Sequence, residues 1–137
     1  MRPAQYDLIV LDVFSSDAIP VHLLTREAFA DYLSHLAPHG VIAAHLSNRY
    51  MELVSVVGAV GTADGLISYV KYENASLDFA NTYRERSVVM ALARERDHLG
   101  DLPSRTGWQP VIDRGVTAWT DDYSNVFGAI VRKVFGR

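Results

Sequence analysis

The run Tyr6-Asp7-Leu8-Ile9-Val10-Leu11-Asp12-Val13-Phe14 constrains the fold more than any other part of the chain. It is almost continuously apolar, and a run of that length reads as a strand of an open α/β sheet buried on both faces. One carboxylate, Asp12, lies near its end, and a second, Asp17, follows five residues on, in a segment closed by Pro20. Ligands of such sheets sit beyond the carboxyl ends of the strands. Two acids at that place point to a site that holds a cation or takes up a proton.

The rest of the chain alternates strand and helix signals. Thr25 is a helix cap, and from Arg26 the residues Phe29, Leu33 and Leu36 recur at helical spacing until Pro38-His39-Gly40 ends the pattern. Residues 41–46 read as a second strand. Ser47 or Asn48 can cap a second helix with a stripe of Met51, Val54, Val57 and Val60, although Gly58 and Gly61 weaken its last turns. Residues 66–72 and 87–93 read as two more strands, joined by a long polar segment, 73–86, of the kind that is often functional. Residues 94–107 are charged and glycine-bearing, which predicts a surface helix and a linker. Residues 124–135 predict a final helix burying Val126, Phe127, Ile130, Val131 and Val134. Met51 and Met90 read as core.

Composition excludes several function classes. A net charge of −3 without blocks of like charge argues against nucleic-acid binding. The absence of cysteine excludes disulfides, thiol catalysis and cysteine-ligated metals, and fits a cytoplasmic chain. No apolar run has the roughly 18 residues of a membrane span. The 137 residues suit one domain.

Strand, helix, strand, helix and two further strands predict a parallel sheet extended by a hairpin. Nothing in the sequence reads as GxGxxG or as a phosphate loop. The most apolar strand is also the first, so it is expected in the middle of a sheet, with a partner missing on its far side. Together these features predict half of a cofactor-binding α/β domain, and an exposed first strand predicts a homodimer.

Several segments in order carry a resemblance: residues 12–20, Leu23-Leu24-Thr25-Arg26-Glu27, the Gly40-Val41 step, His45-Leu46-Ser47-Asn48-Arg49-Tyr50, and Trp119-Thr120-Asp121-Asp122-Tyr123-Ser124-Asn125. The chain resembles the carboxyl-terminal half of the spermidine synthase-like family, closest to a bacterial branch in which this domain can follow transporter-like membrane segments. The resemblance implies the fold of the class I S-adenosylmethionine-dependent methyltransferases. It also implies transfer of an aminopropyl group from decarboxylated S-adenosylmethionine to a polyamine acceptor, with no prosthetic group and no metal. By the same resemblance Asp12 prepares the attacking amine and Asp17 helps bind the diamine. His45 stands where a substrate-binding glutamine is usual, and Tyr83 has the spacing of a substrate-binding tyrosine. Asp121 and Asp122 belong to the second matching motif and are candidates for substrate contact. The loop departs from the family pattern: two more residues separate its acids, and Arg84-Glu85-Arg86 follows Tyr83 where Pro-Ser-Gly is usual.

The residues have structural readings too. Asp12 can cap a turn, Asp17 the helix after Pro20, and His45 can be an interior histidine. Asp121 and Asp122 can serve the positive end of the last helix. Two other functions fit parts of the sequence. Leu11-Asp12-Val13-Phe14 resembles the nucleophile strand of haloacid dehalogenase-like hydrolases, but position 14 is not the second aspartate those enzymes need. A non-catalytic assembly or regulatory module of the same fold is the other. The isolated chain, without a donor-binding motif, is expected to be inactive.

Overall fold

The computed structural model describes residues 5–12, 21–47, 51–73 and 87–136 of the chain. Its sheet grows from a parallel pair, β1 (Tyr6–Asp12) and β2 (Leu36–His45), joined in sequence by helix α1 (Arg26–His35). Pairing is regular from Leu8↔Val41 to Asp12↔His45, and the extra residues of β2 between Leu36 and Val41 bulge out around Pro38-His39-Gly40. A proline has no N–H to give to a ladder, so the bulge is where it is tolerated. The predicted strand start at Val41 coincides with the point where regular pairing resumes.

Helix α1 begins as its sequence predicts. Thr25 is its N-cap, with backbone in the extended region, and its hydroxyl accepts from the Ala28 N–H at 3.2 Å. The other end is closed from a distance. The Arg94 guanidinium donates to the carbonyl of Leu33 at 3.0 Å, which also accepts from the Leu36 N–H, and to that of Ala37 at 2.8 Å, and so places a cation at the carbonyl end of the helix.

Helix α2 (Val54–Ala63) is buried on nearly every side. Ser47 does not cap it. Leu53 occupies the N-cap position without a side-chain bond, and the Glu52 carboxylate instead accepts from the Ser55 N–H at 2.9 Å. The glycines that weaken this helix by propensity are required by its neighbours. A Cβ on Gly61 would come within 2.9 Å of Leu92 in the sheet, and one on Gly58 within 2.8 Å of Val111. The helix thus lies between the sheet and the returning segment 111–119.

Strands β3 (Ile67–Glu73) and β4 (Ser87–Ala93) form the predicted antiparallel hairpin, with β4 inserted between β2 and β3. A fifth strand missed by the sequence reading, β5 (Trp108–Pro110), adds antiparallel to β3, giving the order β1-β2-β4-β3-β5. The architecture is α/β with a mixed sheet whose parallel part, among the described residues, is β1 with β2. Residues 94–107 are not a surface helix. They form two short 3-10 turns, Arg96–Leu99 and Leu102–Ser104, separated by Gly100 at φ 59°.

The sheet has two unequal faces. On one, Ile42, Ala44, Met90, Leu92 and Val70 join Phe29, Leu36, Val56, Val57, Val60 and Trp119 in the main core, with Met51 buried among them. Each Val, Leu, Ile, Met or Phe among them contributes about 1.5–3 kcal/mol by leaving water. On the other face Leu99 and Leu102 cover Ala91, Ala93, Tyr69 and Trp108, but this cover does not reach β1. There Leu8 is 56% and Val10 63% exposed. No described strand lies beyond β1, so it is an edge strand, half-buried on one face through Ile9 and Leu11, and not a central strand buried on both.

Helix α3 (Val126–Phe135) starts on Asn125, whose side chain accepts from the Gly128 N–H at 2.8 Å. It buries Ala129 and half-buries Val126 and Ile130, while Phe127, Val134 and Phe135 are exposed, contrary to the predicted burial of Phe127 and Val134. Its rotation is set by two bonds to one residue: the Glu52 N–H donates to the Ala129 carbonyl at 3.0 Å, and Arg132 Nε donates to Glu52 Oε2 at 3.1 Å.

Candidate functional site

Asp12 and His45 are the last residues of the two parallel strands and face each other in register. Alternation along a strand puts Leu8, Val10 and Asp12 on one face, and Ala43 and His45 on the same face of β2. The two side chains meet, Asp12 Oδ1 lying 3.3 Å from His45 Nδ1. The Asp12 side chain is 68% exposed and that of His45 33%, so the pair opens to solvent at the end of the sheet where ligands of such folds bind.

Behind the pair stands Ser47. Its Oγ lies 2.9 Å from His45 Nε2 and accepts from the Val88 N–H at 2.9 Å, while Leu46 N–H donates to the Val88 carbonyl at 2.8 Å. Ser47 therefore joins the tip of β2 to β4, a role that sequence reading, which offered it as a helix cap, did not find. The only signal for it is its place two residues beyond a strand-end histidine.

Asp121 and Asp122 occupy the corner of a tight turn in which Thr120 and Tyr123 exchange both backbone bonds, at 2.8 and 3.1 Å. Asp121 is bound up with helix α1. Its carboxylate accepts from the buried Thr25 hydroxyl at 2.8 Å, its own N–H donates to Glu27 at 3.0 Å, and Arg26 N–H donates to the Trp119 carbonyl at 2.8 Å. Since α1 leads directly into β2, it runs back against the strands, and its start lies at the same end of the sheet as Asp12. Asp122 is exposed at that turn. The structure thus brings Asp12 and His45 into contact and ties Asp121 to a helix terminus. Asp17 and Tyr83 lie outside the described residues, as do Asn48, Arg49 and Tyr50.

A second charged group flanks this end on the helix side. Glu52 caps α2 and pairs with Arg132, both largely buried. Burial, and then the nearby Glu52 carboxylate, push the Tyr72 hydroxyl above the ordinary tyrosine range, against the pull of Arg114. Among the described residues no group of three or more His, Asp or Glu side chains could hold a metal ion, and no helix is long and apolar enough to cross a membrane.

Comparison with known proteins places the fold. No protein-family model matches the sequence, and no curated protein does. Among solved structures, a probable spermidine synthase from Corynebacterium glutamicum is similar over 90% of this chain and 50% of its own, at 17% identity and a TM-score of 0.53. The structure of M1.HpyAVI, solved as its SAM complex, is similar over 68% of this chain and 46% of its own, at 15% identity and a TM-score of 0.44. The fold is α/β and is shared with the probable spermidine synthase over most of this chain, and the chain spans about half the length of the solved structures it matches.

Proposed function

We propose that this chain is the acceptor side of a spermidine synthase-like, S-adenosylmethionine-dependent transferase. In the complete protein its role is to position an amine for aminopropyl transfer from decarboxylated S-adenosylmethionine. The observation that carries this reading is the Asp12–His45 contact at the ligand end of the parallel strand pair. A protonated amine has no lone pair to attack with, and a carboxylate within hydrogen-bond reach can take its proton. The freed nitrogen then forms a bond to the carbon beside the sulfonium, the carbon–sulfur bond breaks, and sulfur keeps that electron pair as a neutral thioether. With so good a leaving group, positioning supplies much of the acceleration.

In this reading Asp12 is the base and His45 holds it. Asp17 and Tyr83, by family resemblance, hold the distal part of the amine. Asp122 is the acid of the 120–123 turn offered to substrate, while Asp121 holds α1 in place. The donor would be bound by a glycine-rich turn that this sequence does not contain. The open edge of β1 is where a donor-binding half would continue the sheet, and in the isolated chain it would pair with a second copy. A cytoplasmic site of action and transporter-like segments in a parent protein belong to the same reading.

The test is kinetic and uses the complete protein. Asp12→Asn is expected to lower kcat roughly a hundredfold or more with donor binding retained, the size of a general-base contribution. Asp17→Asn is expected to raise KM for the amine. Unchanged kinetics in both variants would remove these acids from the mechanism and favour the non-catalytic module, the reading supported by the absent glycine-rich turn.

A further inference from the structure

We infer that Ser47 is a positioning residue that fixes His45 as its Nδ1–H tautomer, so that Asp12 and not His45 receives the proton of the acceptor amine. The role in proton transfer rests on the transferase reading above; the tautomer does not. Three bonds run in one direction. The Val88 N–H can only donate, and it donates to Ser47 Oγ at 2.9 Å. The Ser47 hydroxyl, with a lone pair so engaged, has its proton to give, and His45 Nε2 lies 2.9 Å away. A carboxylate can only accept, so Asp12 Oδ1, 3.3 Å from His45 Nδ1, calls for a proton on that nitrogen. A neutral imidazole carries one N–H, and the donating Ser47 hydroxyl and the Asp12 carboxylate together ask for it on Nδ1.

Two consequences follow for the site. The basic nitrogen of neutral His45 is turned toward Ser47, a residue only 9% exposed, while the nitrogen facing Asp12 already bears its proton. Of the two side chains, it is therefore the exposed carboxylate of Asp12 that can take the acceptor's proton. His45 also gives that carboxylate a fixed donor, which orients it. The backbone link of Leu46 to Val88 and the side-chain link of Ser47 to the same residue make β4 the anchor for the whole chain of bonds. The glutamine usual at position 45 in the family has no tautomers, so this device belongs to this chain's own residues.

The test is long-range proton–nitrogen correlation NMR of the 15N-labelled 137-residue chain, read above the pH at which the imidazole is neutral. His45→Gln identifies the signal among the five histidines. The expected result is a protonated Nδ1 and an unprotonated Nε2 for His45. Ser47→Ala should move the population toward Nε2–H, the form free histidine favours in water, and Ser47→Thr, which keeps a hydroxyl, should preserve Nδ1–H. If His45 of the unaltered chain carries its proton on Nε2, the inference is wrong. It is equally overturned if Ser47→Ala leaves the tautomer unchanged. Should Ser47→Ala fail to fold because the Val88 N–H loses its acceptor, the unaltered chain and Ser47→Thr decide the matter. No activity is needed, so this result and the kinetic test of Asp12 can fail independently.

Discussion

The two edges of the sheet are built differently. At one, β5 is three residues long, ends in Pro110, and has Trp108 tucked under the turns at 96–104. Short length, a proline and a covering segment are the ways in which natural sheets stop another chain from adding. At the other edge β1 is seven residues long, continues an apolar pattern, and leaves Leu8 and Val10 more than half exposed. It has none of these protections among the described residues. Among the described residues one edge is protected and the other is not, and Asp12 stands at the tip of the unprotected edge.

The two edges should differ in measurable ways. The largest effect is expected in association. The unmodified chain should sediment as a dimer or larger at low micromolar concentration, which requires about 8 kcal/mol at a micromolar dissociation constant. A sheet extended across a two-fold axis is the simplest closed form. A monomer of 15.2 kDa at that concentration would show that the β1 edge is not available for pairing. Ile9 and Leu11 pack against the core, so Leu8 is the cleaner position to alter. Leu8→Lys should weaken association at least tenfold, about 1.4 kcal/mol.

Denaturant unfolding separates the same two regions. Leu92→Ala, which empties a fully buried position between β4 and α2, should cost about 2–5 kcal/mol. Leu8→Ala should change the stability of the monomer by no more than about 0.5 kcal/mol. Similar losses at both positions would mean that β1 is covered on both faces.

The smallest effect concerns Tyr32, whose hydroxyl donates to the Leu23 carbonyl at 3.0 Å beside the core. Tyr32→Phe should cost about 0.5–1.5 kcal/mol near neutral pH. Burial, and then Asp31, raise the Tyr32 hydroxyl above the ordinary tyrosine value. The contribution of a group raised in the folded state is complete below its unfolded value and lost as pH rises through the folded one. The gap between the two proteins should therefore narrow with rising pH only above the ordinary tyrosine range, and a gap that narrows near neutrality would point to another group.

Local signals made much of the fold legible. The Thr25 cap, the strand step at Val41 and the 87–93 strand were all readable, because each rests on residues close in sequence. The parts that were not legible depend on distant partners. Gly58 and Gly61 weaken a helix by propensity and are required there by Val111 and Leu92. The apolar pattern at 126–135 shows that a helix forms, but Glu52, far away in sequence, decides which side of it packs. β5 is too short for a periodic signal and owes its existence to β3. At the site, strand-end position singled out Asp12 and His45 one by one, whereas their contact depends on the register of β1 against β2. Ser47 was misread because a serine before an apolar run signals a cap, and the Val88 N–H that claims its hydroxyl lies 41 residues away.

The proposed function gives this chain the acceptor side of a transferase site and not the donor side. Titration calorimetry of the isolated chain with S-adenosylmethionine and with its decarboxylated form tests it most directly. The expected result is no binding tighter than about millimolar, roughly −4 kcal/mol, for either compound. A micromolar dissociation constant for either would contradict it, because these residues would then contain a donor site that does not depend on a glycine-rich turn.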